Sequence, residues 1–185
     1  MGIIVNLFGG PSIGKSTTAA GVFTLLKMND VNAELVTEFA KDLTWEDRQL
    51  ALNNQYYVWA KQYHKLHRVI DQVDIVITDG PLIFSLIYGT NCEPSFYTMV
   101  LNTFNEFDNI NFFLDRVKKF NPVGRNQTEE ESISLDDTIV KKLCDLGIGF
   151  DMIRGDYTGI NDITHRVLKK INKDFKYSMF GYEVR

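Results

Sequence analysis

Apolar residues fall along this chain in two alternating forms, short unbroken runs and longer stretches at helical spacing. Ile3-Ile4-Val5-Asn6-Leu7-Phe8 is the first short run, and residues 33–38, 74–79, 111–115 and 149–154 repeat it. Runs of this kind suit parallel strands covered on both faces. Between them, residues 17–23 continue with helical spacing, and Tyr56, Trp59, Ala60, Tyr63, Leu66, Val69, Ile70 and Val73 recur at steps of three and four, predicting a long amphipathic helix over 54–73. Helices are also expected over 81–88, 94–107, 128–146 and 161–172. Thr44-Trp45-Glu46-Asp47 and Thr128-Glu129-Glu130-Glu131 both have the form of a capping box, predicting helix starts at each. Residues 155–159 read as a turn, 116–127 as a basic loop with breakers and no acid, and 175–185 carry no clear assignment. Strands separated by helices predict an α/β fold with a parallel sheet wound on both sides and a ligand crevice at the strands' carboxyl ends. Glu38, Asp79, Asp115 and Arg116 would share that edge.

Length and composition narrow the picture. The 185 residues suffice for one substantial core and contain nothing like a linker, so residues 1–185 are expected to form a single domain. A formal net charge of −4 counts against a general nucleic-acid or membrane-surface binder and favours small molecules as partners. Cys92 and Cys144 are too few and too far apart for a disulfide framework or metal cluster, and read as reduced thiols. With an apolar strand starting at Ile3 and no run of membrane-spanning length, a cytoplasmic location is expected, in a host cytoplasm if the source is viral. His64, His67 and His165 show no triad or metal partner.

The chemistry concentrates in Gly9-Gly10-Pro11-Ser12-Ile13-Gly14-Lys15-Ser16, which has the glycine, lysine and hydroxyl spacing of a phosphate-binding loop. It stands between a strand and a helix, as such a loop requires. Glycines let the backbone wrap phosphate oxygens, and the N–H groups leading into the helix, through Thr17, point at the anion. Lys15 would meet the β- and γ-phosphates of ATP, and the Ser16 hydroxyl would ligate the accompanying Mg²⁺.

These residues, with Glu38 after the second strand, Asp79 after the third and the 116–125 loop before a helix, resemble the P-loop nucleoside and nucleotide kinases. Within that superfamily the chain is most similar to the ribosylnicotinamide-kinase-like branch of phage and bacterial ATP-binding proteins, over about 3–171. The resemblance implies a three-layer P-loop NTPase fold, a five-stranded sheet in the order 2-3-1-4-5, and a LID over about 116–128. It makes Glu38 the candidate base, Asp79 the Walker-B-like acid that holds Mg²⁺ with Ser16, and Arg116 and Arg125, with Lys118 and Lys119 between them, the clamp on the transferring phosphates. It also puts Asp156 and Tyr157 beside adenine. Asp79-Gly80-Pro81 departs from the family pattern by lacking an arginine beside the acid, which leaves the roles of Glu38 and Asp79 exchangeable. Either acid could instead serve as a helix cap, and the basic loop could be no more than solvated charge. Among Tyr56, Tyr57, Trp59 and Tyr63, most are expected in the core, with one or two free to stack on an acceptor ring whose edge Gln55 and Gln62 could read.

The function these readings imply is an ATP- and Mg²⁺-dependent phosphotransferase acting on a nucleoside, ribosylnicotinamide or nucleotide. Two alternatives stay open: a kinase acting on a DNA or RNA end or a modified base in DNA, and a P-loop ATPase that acts as a switch.

Overall fold

The computed structural model describes residues 2–89, 92–117, 119–123 and 127–179. In chain order these form β1 (Ile3–Phe8), α1 (Lys15–Met28), β2 (Ala33–Val36), α2 (Phe39–Trp45), α3 (Gln49–Asn53), α4 (Gln55–Ile70), β3 (Ile75–Thr78), α5 (Phe84–Tyr88), α6 (Pro94–Glu106), β4 (Asp108–Asp115), α7 (Glu129–Asp145), β5 (Asp151–Arg154) and α8 (Tyr157–Lys170). The strands make one parallel sheet in the order β2-β3-β1-β4-β5, as the family resemblance implies. Successive strand residues point to opposite faces, yet every residue of β3, and of β1 from Ile4 to Phe8, is buried. Helices therefore cover both sides of the sheet. The register aligns Asn6 with Thr78 and Thr78 with Val36, so Gly9, Asp79 and Glu38 leave the sheet along one edge.

Three elements differ from the sequence expectation. Thr44 does not cap a helix but lies in the last turn of α2, where its Oγ1 donates to the Ala40 carbonyl at 3.2 Å. The helix starts earlier because side chains distant in sequence satisfy its first N–H groups: Asp79 Oδ1 accepts from Glu38 N and Gln62 Oε1 from Phe39 N, each at 2.8 Å. Strand β4 begins at Asp108, because its polar start pairs in register with Ile3 and Ile4 of the central strand. The turn expected at 155–159 is cut short by Asp156, whose carboxylate caps α8 by accepting from Thr158 N at 2.9 Å. Gly159 is then a close-packing position in the first turn of α8, where a Cβ would meet Ile153 Cγ2 at 2.7 Å. The capping box at Thr128 forms as expected, with Glu131 N donating to Thr128 Oγ1 and Thr128 N to Glu131 Oε2.

Part of the C-terminal stretch is docked. Asn29 Oδ1 accepts from the backbone of Lys176 and Tyr177 at 2.7 and 3.1 Å. Among the described residues no helix is long and apolar enough to cross a membrane. Lys118 and Arg125, expected in the phosphate clamp, lie outside the described residues, as does 180–185.

Candidate active site

The phosphate loop is built from conformations that side chains resist. Gly9 and Gly14 have φ of 136° and 114°, in the left-handed region, and a Cβ on Gly9 would lie 2.8 Å from Ile13 Cγ2. Ile13 is buried and anchors the loop in the core. Ser12 also has positive φ, and its Oγ accepts from Asn121 N at 2.8 Å, tying the 116–128 loop to the phosphate loop. Lys15 and Ser16 open α1, whose cap, Gly14, offers no side chain to the first-turn N–H groups. A helix start of this kind suits an anion. Lys15 is buried over its own loop, its Nζ donating to the carbonyls of Gly9 at 2.7 Å and Gly10 at 3.0 Å, with the Phe84 ring centroid 5.4 Å away.

Pro11, Ser12, Gly14, Lys15, Ser16 and Thr17 line one end of a cavity of about 1130 Å³ that continues past Glu38 to α4 and α5. The two acids beside it have different positions. Asp79 is buried, is not among the residues lining the cavity, and accepts from Glu38 N at 2.8 Å. Glu38, the N-cap of α2, lines the cavity itself. The missing arginine beside Asp79 has a steric cause, because a Cβ on Gly80 would lie 2.8 Å from Glu38 Cα and 3.0 Å from its Cβ. Position 80 has no room for a side chain.

At the far end, Gln55 and Tyr56 line the cavity, whereas Gln62 lines it beside Glu38 with its amide engaged by Phe39 N and Thr78 Oγ1. The other ring candidates of α4 are packed elsewhere: Trp59 stacks on Tyr63 with centroids 5.2 Å apart, and Tyr57 meets Phe39 edge-on at 5.6 Å. Tyr56 is braced by Phe96 at 4.2 Å and accepts from Glu93 N at 2.9 Å. Tyr88, absent from the sequence reading, lines the cavity too, and its hydroxyl is pushed above the usual phenol range by burial, then by the negative charges of Glu38 and Asp136. It stays a neutral group able to donate.

The 116–128 loop contributes Lys119, Asn121 and Gln127 to the lining. The Arg116 side chain turns the other way. Its Nε and Nη2 donate to Asp136 Oδ2 at 3.1 and 2.8 Å, Nη2 also to Ser132 Oγ at 2.8 Å, and Nη1 to the Pro11 carbonyl at 3.2 Å. Asp115 is exposed, and its carbonyl accepts from Gly155 N at 3.1 Å. Asp156 and Tyr157 do not line the cavity. Asp156 is engaged as a cap and by Arg154 Nε at 3.0 Å; its bonds, foremost that from the Thr158 hydroxyl, hold its carboxyl down at about 2. The turn in front of them packs on the phosphate loop, since a Cβ on Gly155 would lie 3.0 Å from the Ile13 carbonyl oxygen.

One cation in the cavity was not anticipated. Lys41 of α2 lines it, and its Nζ donates to Ser16 Oγ at 3.4 Å. Its signal was the spacing from Glu38, three residues along one helix face, hidden because the sequence places the helix start at Thr44 instead. Among the described residues no group of three or more His, Cys, Asp or Glu could hold a metal by itself. The donors present, the Ser16 hydroxyl and the neighbouring carboxylates, are hard oxygens that fit Mg²⁺, an ion held by one or two protein carboxylates with phosphates and water completing its shell.

The fold is shared with a solved shikimate kinase from Bacteroides thetaiotaomicron, with a TM-score of 0.51 and 14% identity over 92% of this chain and 98% of that one. No curated protein matches the chain in sequence. A phosphate loop between β1 and α1, at the carboxyl edge of a 2-3-1-4-5 parallel sheet, is the arrangement of a P-loop NTPase. Residues 4–158 match the AAA domain family, and the chain belongs to that family.

Proposed function

We propose that the protein transfers the γ-phosphoryl group of ATP to a hydroxyl of a small acceptor of the nucleoside type, ribosylnicotinamide included, in a Mg²⁺-dependent reaction. The reading rests on how charge is sorted in the cavity. Among the described lining residues, Lys15, Lys41 and Lys119 belong to or flank the phosphate end, and Glu38 stands beside them. The remainder of the lining is apolar or carries neutral groups such as Asn54, Gln55, Tyr56 and Tyr88. A second phosphate or a carboxylate at the end of the cavity away from these lysines would be desolvated with no cation among the described lining residues there to pair with, which is costly. An acceptor without negative charge meets no such penalty.

In this mechanism the phosphate-loop N–H groups and Lys15 hold the triphosphate, and Ser16 with Asp79 would hold the metal. When bound, Mg²⁺ neutralises charge on the phosphate oxygens. Glu38, which lines the cavity, would accept the proton of the acceptor hydroxyl, its backbone held by Asp79 and the start of α2 by Gln62. Lys41 supplies the positive charge at the transferring group. Tyr157 and the backbone around Asp156 are the proposed adenine contacts.

The test is a γ-phosphate transfer screen over nucleosides, ribosylnicotinamide, nucleoside monophosphates and DNA ends at low and moderate salt, with hydrolysis as control. The expected result is transfer to a nucleoside-type acceptor with a KM that changes little with salt. A DNA acceptor would make several phosphate contacts, and its binding would fall by orders of magnitude over that range. Salt-sensitive transfer to DNA, transfer to monophosphates alone, or hydrolysis without transfer would each overturn the proposal.

A further inference from the structure

Arg116 stands at the entrance of the 116–128 loop, while Ser132 and Asp136 stand just beyond its exit on α7, and the three side chains meet behind the phosphate loop. Each guanidinium nitrogen and each Asp136 oxygen has a partner. One Asp136 oxygen accepts from two guanidinium nitrogens, while the other accepts from Gly10 N at 2.5 Å. The Ser132 hydroxyl accepts from Arg116 Nη2 and donates to the Pro11 carbonyl at 2.5 Å, acting as acceptor and donor at once. The third guanidinium nitrogen reaches the same carbonyl at 3.2 Å. The Arg116 and Asp136 side chains are only 15% and 17% exposed, so the pair is sheltered from solvent, and its two charge-assisted hydrogen bonds converge on one carboxylate oxygen. Gly10 is required for this approach, because a Cβ there would lie 2.7 Å from the Ser132 carbonyl and 2.8 Å from Asp136 Oδ1. Arg116 is absent from the cavity lining, whereas Lys15 and Lys41 belong to it.

We infer that Arg116, Asp136 and Ser132 form a positioning clamp that holds Gly10 and Pro11 in the conformation that accepts a triphosphate, and that Arg116 itself does not touch the transferred phosphoryl group. This rests on the reading of the loop as an ATP site. The clamp grips the Gly10 N–H and the Pro11 carbonyl, which together fix the orientation of the peptides leading to Ser12. It grips them with side chains from both ends of the 116–128 loop, so the base of that loop and the phosphate loop are one unit. An empty phosphate loop otherwise has to be ordered at the moment of binding, and that cost would appear in ATP affinity rather than in the chemical step.

Arg116→Lys, Asp136→Asn and the double variant test this, with ATP dissociation constants from calorimetry, with and without Mg²⁺, beside kcat and the KM of each substrate. Lysine lacks the fork needed to reach both partners. Each single change is expected to weaken ATP binding about tenfold and to leave kcat at saturation within about threefold. The double variant should be no worse than the weaker single, because members of one network are not additive. Ser132→Ala, which removes only the hydroxyl, serves if a charge variant does not fold, and is expected to weaken ATP binding several-fold with the acceptor KM unchanged. A hundredfold loss of kcat in Arg116→Lys with unchanged ATP affinity and a silent Asp136→Asn would make Arg116 a phosphate contact and overturn the clamp. Unchanged ATP affinity in all variants would do the same. Calorimetry separates this from the proposed reaction: a wild type that binds no ATP defeats the underlying site, and one that binds ATP without transferring phosphate still tests the clamp.

Discussion

Gly21 lies on α1, one turn beyond the phosphate loop, where α1 packs on α8, and two opposing effects decide what Gly21→Ala does. Replacing glycine by alanine inside a helix is worth about 0.8–1.0 kcal/mol from backbone entropy. Against this, the new Cβ would lie 2.6 Å from Ile160 Cδ1, 3.1 Å from its Cγ2 and 3.2 Å from its Cγ1. The Cδ1 atom can rotate away, but the two γ-carbons of a β-branched side chain move only with the backbone of α8. Ile160 is buried in the core, so overpacking of about 1–3 kcal/mol is expected. Overpacking wins. The net loss of about 1 kcal/mol corresponds to a fall in Tm of about 2–4 °C for a domain of this size, measured by circular dichroism with urea melts alongside. Ile160→Ala, which removes Cδ1 and both γ-carbons, should alone cost about 2–5 kcal/mol. In that background all three contacts are gone, and Gly21→Ala should become neutral or stabilising, giving a coupling of about 1 kcal/mol in the double-mutant cycle. A Gly21→Ala protein more stable than wild type, by the same amount in both backgrounds, would refute the tight α1–α8 contact.

Glu38→Gln keeps shape and removes the proton acceptor, so kcat should fall about 10²-fold or more with little change in ATP binding, while Asp79→Asn should weaken Mg²⁺-dependent ATP binding; reversed phenotypes would move the base to Asp79. Lys41→Met should lower kcat about 10²-fold, with partial recovery in Lys41→Arg and Mg²⁺-free ATP affinity changed by less than about threefold; undiminished turnover would remove Lys41 from the catalytic set. Asp156 has its carboxyl lowered from an ordinary 3.8 to about 2 by the bonds it accepts as the α8 cap. A group depressed on folding contributes stability above its unfolded value and loses it as pH falls through its folded one. The Tm gap between wild type and Asp156→Asn should therefore be constant above about pH 4 and close toward pH 2, and a gap that stays constant to pH 2 would show that the charge plays no part.

What the sequence determined by itself was carried by local signals. The unbroken apolar run of β1, the glycine spacing from Gly9 to Gly14 and the helical period after Ser16 needed no distant partner, so the strand, loop and helix of the phosphate loop were legible. The same holds for the stripe of α4 and for the Thr128–Glu131 box, whose two hydrogen bonds close within four consecutive residues. The strand order followed from resemblance rather than from any period in the chain. What only the tertiary structure decided depends on partners brought together across the sheet edge. Helix α2 starts at Phe39 because Asp79 and Gln62 accept its first N–H groups, and that start carries Lys41 to Ser16. The sequence offered Thr44 as a cap because a hydroxyl followed three residues later by an acid looks the same whether or not a better-satisfied helix has already begun. Arg116 is the converse case. In the sequence it is a cation on a basic loop, free to reach phosphate; in the fold, Asp136 and Ser132 arrive from α7 with acceptors for its N–H groups, and Asp136 at 2.8 Å holds the guanidinium behind the loop rather than in the cavity.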